Sequence, residues 1–274
     1  MRRPFIVGIL NLTEDSFSDG GRYLDPAAAI AQARRLVEGG ADIVELGAAA
    51  SNVAAKPVSA EEEIRRLTPV IEALRRDGVT VSIDSFKSEV QCFALMHGVA
   101  YLNDIQGFPD PAIYPELAAA DCRLVVMHAA QERGRAQSLD LEPEEVWQRI
   151  RDFFMTRISR LEQAGIARER MILDPGMGLF LSSRPEASLR VLRGLTELKR
   201  VFELPILVSV SRKSFLRTLI GRDDPAALGA ATLAAELYAA RQGADLIRTH
   251  DPLALRDALI VSRALEQPGR PISG

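Results

Sequence analysis

The sequence predicts an α/β protein, a (β/α)8 TIM barrel with its active site at the C-terminal ends of the strands. Short apolar, β-branched runs alternate eight times with longer amphipathic stretches, a pattern typical of a parallel sheet wrapped by helices. Polar residues stand where nearly every run ends, and barrel enzymes assemble their sites from those ends. No linker-like or low-complexity stretch divides the 274 residues. We therefore expect a single domain spanning 1–274.

The eight predicted strands are short, and each is followed by a helical stretch. They cover residues 5–10, 42–46, 80–83, 100–103, 123–127, 171–173, 206–210 and 245–249. Three joins between a helix and the next strand, at 38–46, 97–104 and 241–249, share a glycine. A glycine just past a helix end accepts left-handed backbone geometry, so the chain can turn tightly into the next strand. Longer segments follow strands one, two, five, six and seven, and we expect them on the active-site face.

The composition excludes several classes of partner. The chain has 34 Lys and Arg against 37 Asp and Glu, a formal net charge of −3, so we expect no nucleic acid and no membrane partner. Cys92 and Cys122 lie in apolar stretches without metal-ligand spacing, and we interpret both as small buried thiols. The N-terminal apolar run is too short for a signal peptide, and no later run reaches membrane-spanning length. These features predict a cytoplasmic protein.

Polar side chains at the strand ends are the candidates for a site, because strand ends of a barrel converge on one face. In chain order they are Asn11, Gly47, Asp84, Asn103 with Asp104, His128, Asp174, Ser211 to Ser214, and Arg248 with His250. Asp84 and Asp174 are acceptors, Asn103 is both donor and acceptor, and Lys213 donates three hydrogens. These groups suit a flat heterocycle with amino, ring N–H and carbonyl groups. For Asp174 an alternative stays open, since Asp-Pro-Gly is also a turn signal.

Arg248 and His250 are two residues apart on the last predicted strand, so the pleat places both on one side. A planar guanidinium and a protonatable imidazole together suit phosphate oxygens. Two other histidines are read differently. His97 is expected at a helix end, and His128 has no partner at metal-ligand spacing.

Seven segments, in order, resemble the dihydropteroate synthase family over nearly the whole chain. They are NLTEDSFSDGG at 11–21, SIDSFKSEV at 82–90, LNDIQG at 102–107, VMH at 126–128, LDPGMG at 173–178, SVSRKSF at 209–215 and IRTHD at 247–251. The resemblance implies an enzyme that condenses 6-hydroxymethyl-7,8-dihydropterin diphosphate with p-aminobenzoate, giving 7,8-dihydropteroate and diphosphate. It also implies Mg²⁺ as cofactor and a homodimer.

The same resemblance implies roles for individual residues. Pterin binding is implied for Asp84, Asn103, Asp174 and Lys213, and diphosphate binding for Asn11, Arg248 and His250, with Asn11 also the Mg²⁺ ligand. Phe17, Asp19 and Ser214 are implied around the aminobenzoate. Catalysis is implied for Asp19, Lys213, Arg248 and His250: diphosphate leaves first, a stabilised cation forms, and the arylamine attacks. Asp19 would face that cation.

The chain departs from the family pattern around the second substrate. Asn52 replaces an Arg and Val53 a Pro, Glu14 replaces a Pro in the first loop, and 179–181 read Leu-Phe-Leu where Phe-Gly-Lys is usual. These segments resemble the sulfonamide-insensitive Sul-type synthases. Our hypothesis is that Phe180 admits p-aminobenzoate and obstructs sulfonamides. The expected aminobenzoate pocket comprises Phe17, Asn52, Val53, Leu179, Phe180 and Ser214.

Several alternatives remain open from the residues alone. The loop changes could be neutral drift, or the enzyme could have lost its activity. A methyltetrahydrofolate methyltransferase barrel would share the ring-binding carboxylates and amides but would need no diphosphate site. A non-catalytic pterin-binding protein would bind the ring without releasing diphosphate. Fold alone separates none of these.

Overall fold

Eight parallel strands form one sheet in the computed structural model, which describes residues 3–13, 25–49, 57–130, 139–222 and 224–266. The strands are β1 Phe5–Asn11, β2 Ile43–Gly47, β3 Val81–Asp84, β4 Tyr101–Asp104, β5 Arg123–Met127, β6 Met171–Asp174, β7 Leu207–Val208 and β8 Leu246–Thr249. Their order is β6-β5-β4-β3-β2-β1-β8-β7. A parallel bridge between Leu173 and Ile206 joins β6 to β7 and closes the barrel. The predicted fold is confirmed, with every strand end within two residues of its predicted position.

Helices connect the strands, as the alternating pattern predicts. Those of the described residues are α1 Pro26–Glu38, α2 Ala60–Arg76, α3 Ser88–Met96, α4 Tyr114–Ala119, α5 Pro143–Gln163, α6 Pro185–Phe202, α7 Ser214–Ile220, α8 Gly229–Arg241 and α9 Pro252–Glu266. Side-chain caps fix two starts: Asp25 accepts from the Ala28 amide and Ser59 from the Glu62 amide, which satisfies otherwise unpaired N–H groups. None of these helices combines the length and the apolar character that crossing a bilayer requires.

The three glycine joins and Cys122 behave as predicted, whereas Cys92 is less buried than predicted. Gly40, Gly98 and Gly243 have φ values of 100°, 64° and 91°, the left-handed geometry that suits glycine. Helix α3 ends at His97, whose Nδ1 lies 2.8 Å from the Phe93 carbonyl oxygen. Both thiols are free; Cys122 is buried and Cys92 is partly buried.

The barrel interior changes from apolar to polar along the strands. Its floor is an apolar layer formed by Val7, Ile43, Tyr101, Val125, Ile172, Leu207 and Leu246. Because alternate residues of a strand face the same side, the next inward position lies two residues further on. On four strands that position holds Glu45, Asn103, Asp174 and Arg248. The floor therefore closes the barrel from below, and polar groups line its C-terminal face, which we call the mouth.

A buried carboxyl group on the outer side of the barrel gives a first testable prediction. Glu236 of α8 is 1% exposed, and burial raises its pKa to about 8, opposed by a hydrogen bond with Thr249. Between its unfolded pKa and this value, the folded protein keeps a proton that the unfolded chain releases, so stability falls as pH rises. Glu236→Gln removes this cost, and we expect it to raise the free energy of unfolding at pH 7.5 by about 1 to 3 kcal/mol.

Urea denaturation at pH 7.5 and pH 5 measures this effect. Most of the gain should disappear at pH 5, where the unfolded carboxyl group is close to its own pKa. Glu72→Gln makes the same change at an exposed position of α2 and should do little at either pH. An equal gain at both pH values would contradict the buried, protonated carboxyl.

Candidate active site

Four neighbouring strands bring their polar ends to one level of the mouth. In the sheet register Asn11 lies opposite Gly47, Gly47 opposite Asp84, and Asp84 opposite Asn103. Gly47 keeps space between its neighbours: a Cβ there would lie 3.6 Å from Asn11 Oδ1 and 3.9 Å from Asp84 Cβ. The side chains of Asn11 and Asp84 therefore flank a small gap in the wall of the barrel.

Arg248 is paired with two carboxylates inside the mouth. Its Nη2 lies 2.8 Å from Asp84 Oδ2, and its Nε forms an ion pair with Glu45 Oε1. Burial raises the pKa of Asp84 to about 7; the Arg248 charge opposes this rise and the Glu45 charge adds to it. Two acceptors thus use part of the guanidinium fork, and its Nη1 group remains for a ligand.

Glu45 is the site residue that the sequence reasoning missed. It is 1% exposed, and its Oε2 accepts from Ser82 Oγ at 3.0 Å and from Asn103 Nδ2 at 3.3 Å. Asn103 Oδ1 is buried and has no hydrogen-bond partner among the described residues. The available signal was a lone acidic residue inside an apolar strand, since acidic side chains are rarely buried without a partner.

Asp174 serves both the turn and the mouth, so the two readings of Asp-Pro-Gly hold together. Its Oδ1 accepts from the Gly176 amide at 2.8 Å. Gly176 has φ of 77°, and a Cβ there would come within 2.4 Å of the His128 carbonyl oxygen. Burial raises the pKa of Asp174 to about 6, while the Gly176 amide and the Lys213 charge lower it. One carboxylate oxygen holds the turn, which leaves the other available to a ligand.

The loops after β6 and β7 pack against each other. A Cβ on Gly178 would lie 3.2 Å from Ser214 Oγ and 3.6 Å from Lys213 Cβ. Lys213 Nζ stands 5.0 Å from the centre of the Phe180 ring, within the range of a cation–π contact. Burial lowers the pKa of Lys213 to about 8, and Arg248 lowers it further, whereas Asp174 and Asp84 raise it.

Phe180 belongs to a small apolar cluster at the mouth. It is 6% exposed and packs with Ile105 and Met127, with Leu179 and Phe86 partly buried against them. The bulky residue that the sequence places after the Asp-Pro-Gly loop is therefore held in a fixed position beside Lys213. Leu179, Phe180 and Ser214 of the expected aminobenzoate pocket all lie in these two loops.

His250 differs from the sequence expectation of a protonatable imidazole. Its Nδ1 lies 2.9 Å from Ser211 Oγ, and its backbone amide donates to the same oxygen at 3.2 Å. Burial lowers the pKa of His250 to about 3, helped by the charges of Arg212 and Arg248. The ring is therefore neutral at pH 7 in the ligand-free protein, and that expectation was wrong chiefly because the ring is buried and also because its charged neighbours are cations.

The remaining predicted residues fall into two groups. Phe17, Asp19, Asn52 and Val53 lie outside the described residues. His128 is buried, and its Nδ1 lies 3.3 Å from the Pro175 carbonyl oxygen; burial lowers its pKa to about 4. Within the described ranges, no group of three or more His, Cys, Asp or Glu side chains is arranged to hold a metal ion. Asn11 therefore offers one neutral oxygen rather than a preformed metal centre.

Fold and site together define a class of protein. Asp84, Asp174, Lys213 and Arg248 act on one another's pKa values, so they share one mouth. Acidic, amide and basic side chains grouped at the C-terminal face of a closed (β/α)8 barrel are typical of an enzyme active site.

Comparison with known proteins narrows this class. A family model described as pterin binding enzyme matches residues 7–250. The chain is 56% identical over 265 residues to the dihydropteroate synthase type-2 of Escherichia coli, covering 97% of each. It also superposes on the Yersinia pestis dihydropteroate synthase solved with a sulfonamide drug complex, with TM-score 0.87, 33% identity and coverage of 96% and 94%.

A third comparison concerns a structure that contains product. The Xanthomonas albilineans dihydropteroate synthase in complex with 7,8-dihydropteroate matches with TM-score 0.81 and 33% identity, covering 98% of this chain and 94% of that one. The chain belongs to the dihydropteroate synthase family of pterin-binding enzymes.

Proposed function

We propose that residues 1–274 form a single-domain transferase that condenses 6-hydroxymethyl-7,8-dihydropterin diphosphate with p-aminobenzoate. The products are 7,8-dihydropteroate and diphosphate. The observation that carries this proposal is the group formed by Asp84, Asp174, Lys213 and Arg248 at the mouth, in which Asp174 is buried and Arg248 pairs with Asp84. The type-2 relative and the product complex described above support the same reaction.

The pterin ring is held by the deepest groups of the mouth. Asp174 offers a free carboxylate oxygen, Asn103 a free amide oxygen, and Lys213 an ammonium group. The pKa values of about 6 for Asp174 and about 8 for Lys213 leave the acid ionised and the lysine protonated between those values. Acceptors for the ring N–H and amino groups and a donor for its oxygen or nitrogen atoms are therefore present together.

The diphosphate lies over Asn11, Arg248 and His250. Arg248 contributes its remaining N–H groups, since Glu45 and Asp84 occupy Nε and Nη2. His250 donates as a neutral imidazole, and an incoming anion raises its pKa by adding an opposite charge. Asn11 would supply one oxygen to Mg²⁺, an ion that proteins bind through few of their own ligands. When bound, the ion would supply positive charge to stabilise the leaving diphosphate.

The reaction needs no nucleophile from the protein. The C–O bond at the pterin methylene carbon breaks, diphosphate takes the electron pair, and the positive charge spreads into the ring. The amino nitrogen of p-aminobenzoate attacks the methylene carbon and loses a proton. Arg248 and His250 stabilise the departing charge, and the negative charge of Asp19 stabilises the cation. Alignment of the two substrates between the β6 and β7 loops provides the rest.

We attribute insensitivity to sulfonamides to the aminobenzoate pocket, to which the sequence assigns Phe17, Asn52, Val53, Leu179, Phe180 and Ser214. Phe180 packs against Ile105 and Met127 and lies beside the Lys213 cation. Moving its ring aside would therefore disrupt these contacts. A fixed bulky ring discriminates between two near-isosteres by clashing with the larger one. The enzyme thereby confers antibiotic resistance while it keeps its own substrate.

Phe180→Gly is expected to make the enzyme sensitive. Removal of the ring should lower the sulfamethoxazole concentration for half inhibition by about 10- to 200-fold, the range that a change in one pocket contact gives. The KM for p-aminobenzoate should change far less, because the clash concerns only the drug.

A matched control separates the clash from loosening of the cluster. Phe86→Ala truncates another aromatic ring of the same cluster and should leave drug tolerance unchanged. Unchanged tolerance in Phe180→Gly itself would remove that residue from the explanation.

The proposal also covers the compartment, the oligomeric state and the partners of the enzyme. It works in the cytoplasm as a homodimer on small-molecule substrates, without nucleic acid or membrane partners. The net charge of −3 is consistent with this, because it supplies no broad basic surface.

Diphosphate release, measured with and without p-aminobenzoate and again with sulfamethoxazole, tests the proposed function. Release that requires Mg²⁺ and p-aminobenzoate and persists with the drug is the expected result. Tight pterin binding without release would favour a non-catalytic pterin-binding protein, and absence of any product with aminobenzoate would favour a methyltransferase.

A further inference from the structure

Glu45 is a buried carboxylate inside the barrel to which the proposed reaction gives no part. Its side chain is 1% exposed and contacts three strands besides its own: Ser82 of β3, Asn103 of β4 and Arg248 of β8. Two of these partners, Asn103 and Arg248, are residues proposed to bind the substrate. Glu45 lies between these two residues and the apolar floor, so its contacts hold the side chains of Asn103 and Arg248 in place.

Stability does not explain the ion pair of Glu45 with Arg248 at this position. Removing a carboxylate and a guanidinium from water carries a desolvation penalty that their attraction often fails to recover, and apolar residues of similar volume are often equally stabilising. The layer directly below is apolar, with Ile43 two residues earlier on the same strand. A leucine or methionine would extend that layer, so the carboxylate points to a requirement of the site.

That requirement is visible in the orientation of Asn103. A carboxylate only accepts hydrogen bonds, so the Asn103 amide must turn its Nδ2 toward Glu45. Its Oδ1 then faces away from Glu45, buried and without a hydrogen-bond partner in the described part of the chain. A buried carbonyl oxygen left unpaired costs about 1 to 3 kcal/mol. A ligand relieves that cost only if it presents a donor to this oxygen.

We propose that Glu45 is a positioning and specificity-determining residue that locks the Asn103 amide as an acceptor toward the ligand and holds Arg248 beside Asp84. The site thereby selects a heterocycle with an N–H group at the edge that meets Asn103. This inference rests on the proposed pterin function and adds which hydrogen-bonding group of the ring the site selects.

Glu45→Gln tests the lock because a glutamine amide both accepts and donates, so Asn103 is free to turn over. The probes are the dihydropterin diphosphate and two analogues that replace a donor with an acceptor. The lumazine analogue carries a carbonyl in place of the amino group, and the oxidised pterin carries a bare ring nitrogen in place of the N8–H group. Calorimetry without p-aminobenzoate gives the affinity ratio of substrate to each analogue.

The wild-type protein should prefer the substrate to at least one analogue by about 100-fold or more, since a site built for a donor rejects ligands that lack it. Glu45→Gln should lower that ratio at least tenfold, while the KM for p-aminobenzoate stays within twofold. Glu45→Asp keeps an acceptor-only side chain and should retain the ratio. Asn103→Ala removes the acceptor without touching the ion pair and should lower the same ratio, so the test survives if Glu45→Gln does not fold.

Glu63→Gln is the matched control. Glu63 is as buried as Glu45, but in the described residues it pairs with Ser85 and Lys87 and with none of the residues proposed to bind the substrate, so its substitution should leave the ratio unchanged. A wild-type protein that binds the substrate while Glu45→Gln keeps the full ratio would overturn the role of Glu45 alone. A folded wild-type protein that binds no pterin diphosphate would overturn the proposed function and this role with it.

Discussion

Asp174→Asn is expected to lower kcat/KM for the pterin diphosphate by about 10³, roughly 4 kcal/mol of transition-state stabilisation. The asparagine carbonyl oxygen can still accept from the Gly176 amide, which now lies 2.8 Å from Asp174 Oδ1. Its NH2 group then faces the ligand in place of a carboxylate oxygen. Each hydrogen bond to a charged group that is lost costs about 1.5 to 3 kcal/mol, and a donor now meets a donor.

The readouts are steady-state kinetics and thermal unfolding of the same preparations. Because the turn is preserved, the melting temperature should change little while activity falls. Asp110→Asn makes the same chemical change at an exposed cap, where Asp110 accepts from the Ala112 amide, and should keep full activity. Activity of Asp174→Asn within threefold of wild type would show that this carboxylate does not bind the ring.

Gly194→Ala should destabilise the protein by about 2 to 4 kcal/mol, although alanine is the better helix former by about 1 kcal/mol. Gly194 lies in α6 where it meets α5, and a Cβ there would come within 2.3 Å of the Trp147 ring. Trp147 is 4% exposed, and the central carbon of the Arg190 guanidinium lies 4.2 Å from the centre of the Trp147 ring. A rigid, enclosed ring cannot retreat, so overpacking outweighs helix propensity.

Urea denaturation of two further variants completes this test. Gly229→Ala adds the same methyl group to α8 where no atom of the described residues lies within 4 Å, and it should be neutral or slightly stabilising. Trp147→Leu should restore part of the stability when combined with Gly194→Ala, because it vacates the contested space. Equal effects of the two glycine substitutions would rule out the close approach of α5 and α6.

The fold was predictable because its determinants are local. The runs at 5–10 and 123–127 are apolar and β-branched between helical stretches, and parallel strands buried on both faces read in this way. The length of β7 was the most overestimated: the run at 206–210 gives a strand of two residues, Leu207–Val208, plus the bridge at Ile206. Apolar content predicts burial there, but it does not report how many residues find a pairing partner.

Most residues of the candidate site could be named from the sequence, except Glu45, but their states could not. Asp84, Asn103 and Asp174 stand at strand ends and Lys213 follows β7, positions that the sequence marks. Their pairing depends on distances across the barrel: Arg248 meets Glu45 and Asp84 from positions more than a hundred residues away in the chain. The neutral state of His250 likewise follows from burial beside Arg212 and Arg248, which no local pattern encodes.

The seam between β6 and β7 has a mechanical consequence. Backbone pairing across it is sparse in the described residues: the Leu173 amide donates to the Pro205 carbonyl, and the bridge to Ile206 follows. Asp174 continues one edge of this seam, and Lys213 lies in the loop that follows the other. We expect the barrel to open locally between β6 and β7, because local opening favours segments with few backbone hydrogen bonds. Such opening would change the distance between the Asp174 carboxylate and the Lys213 ammonium group. The sparse β6–β7 pairing would therefore affect how tightly the pterin ring is bound.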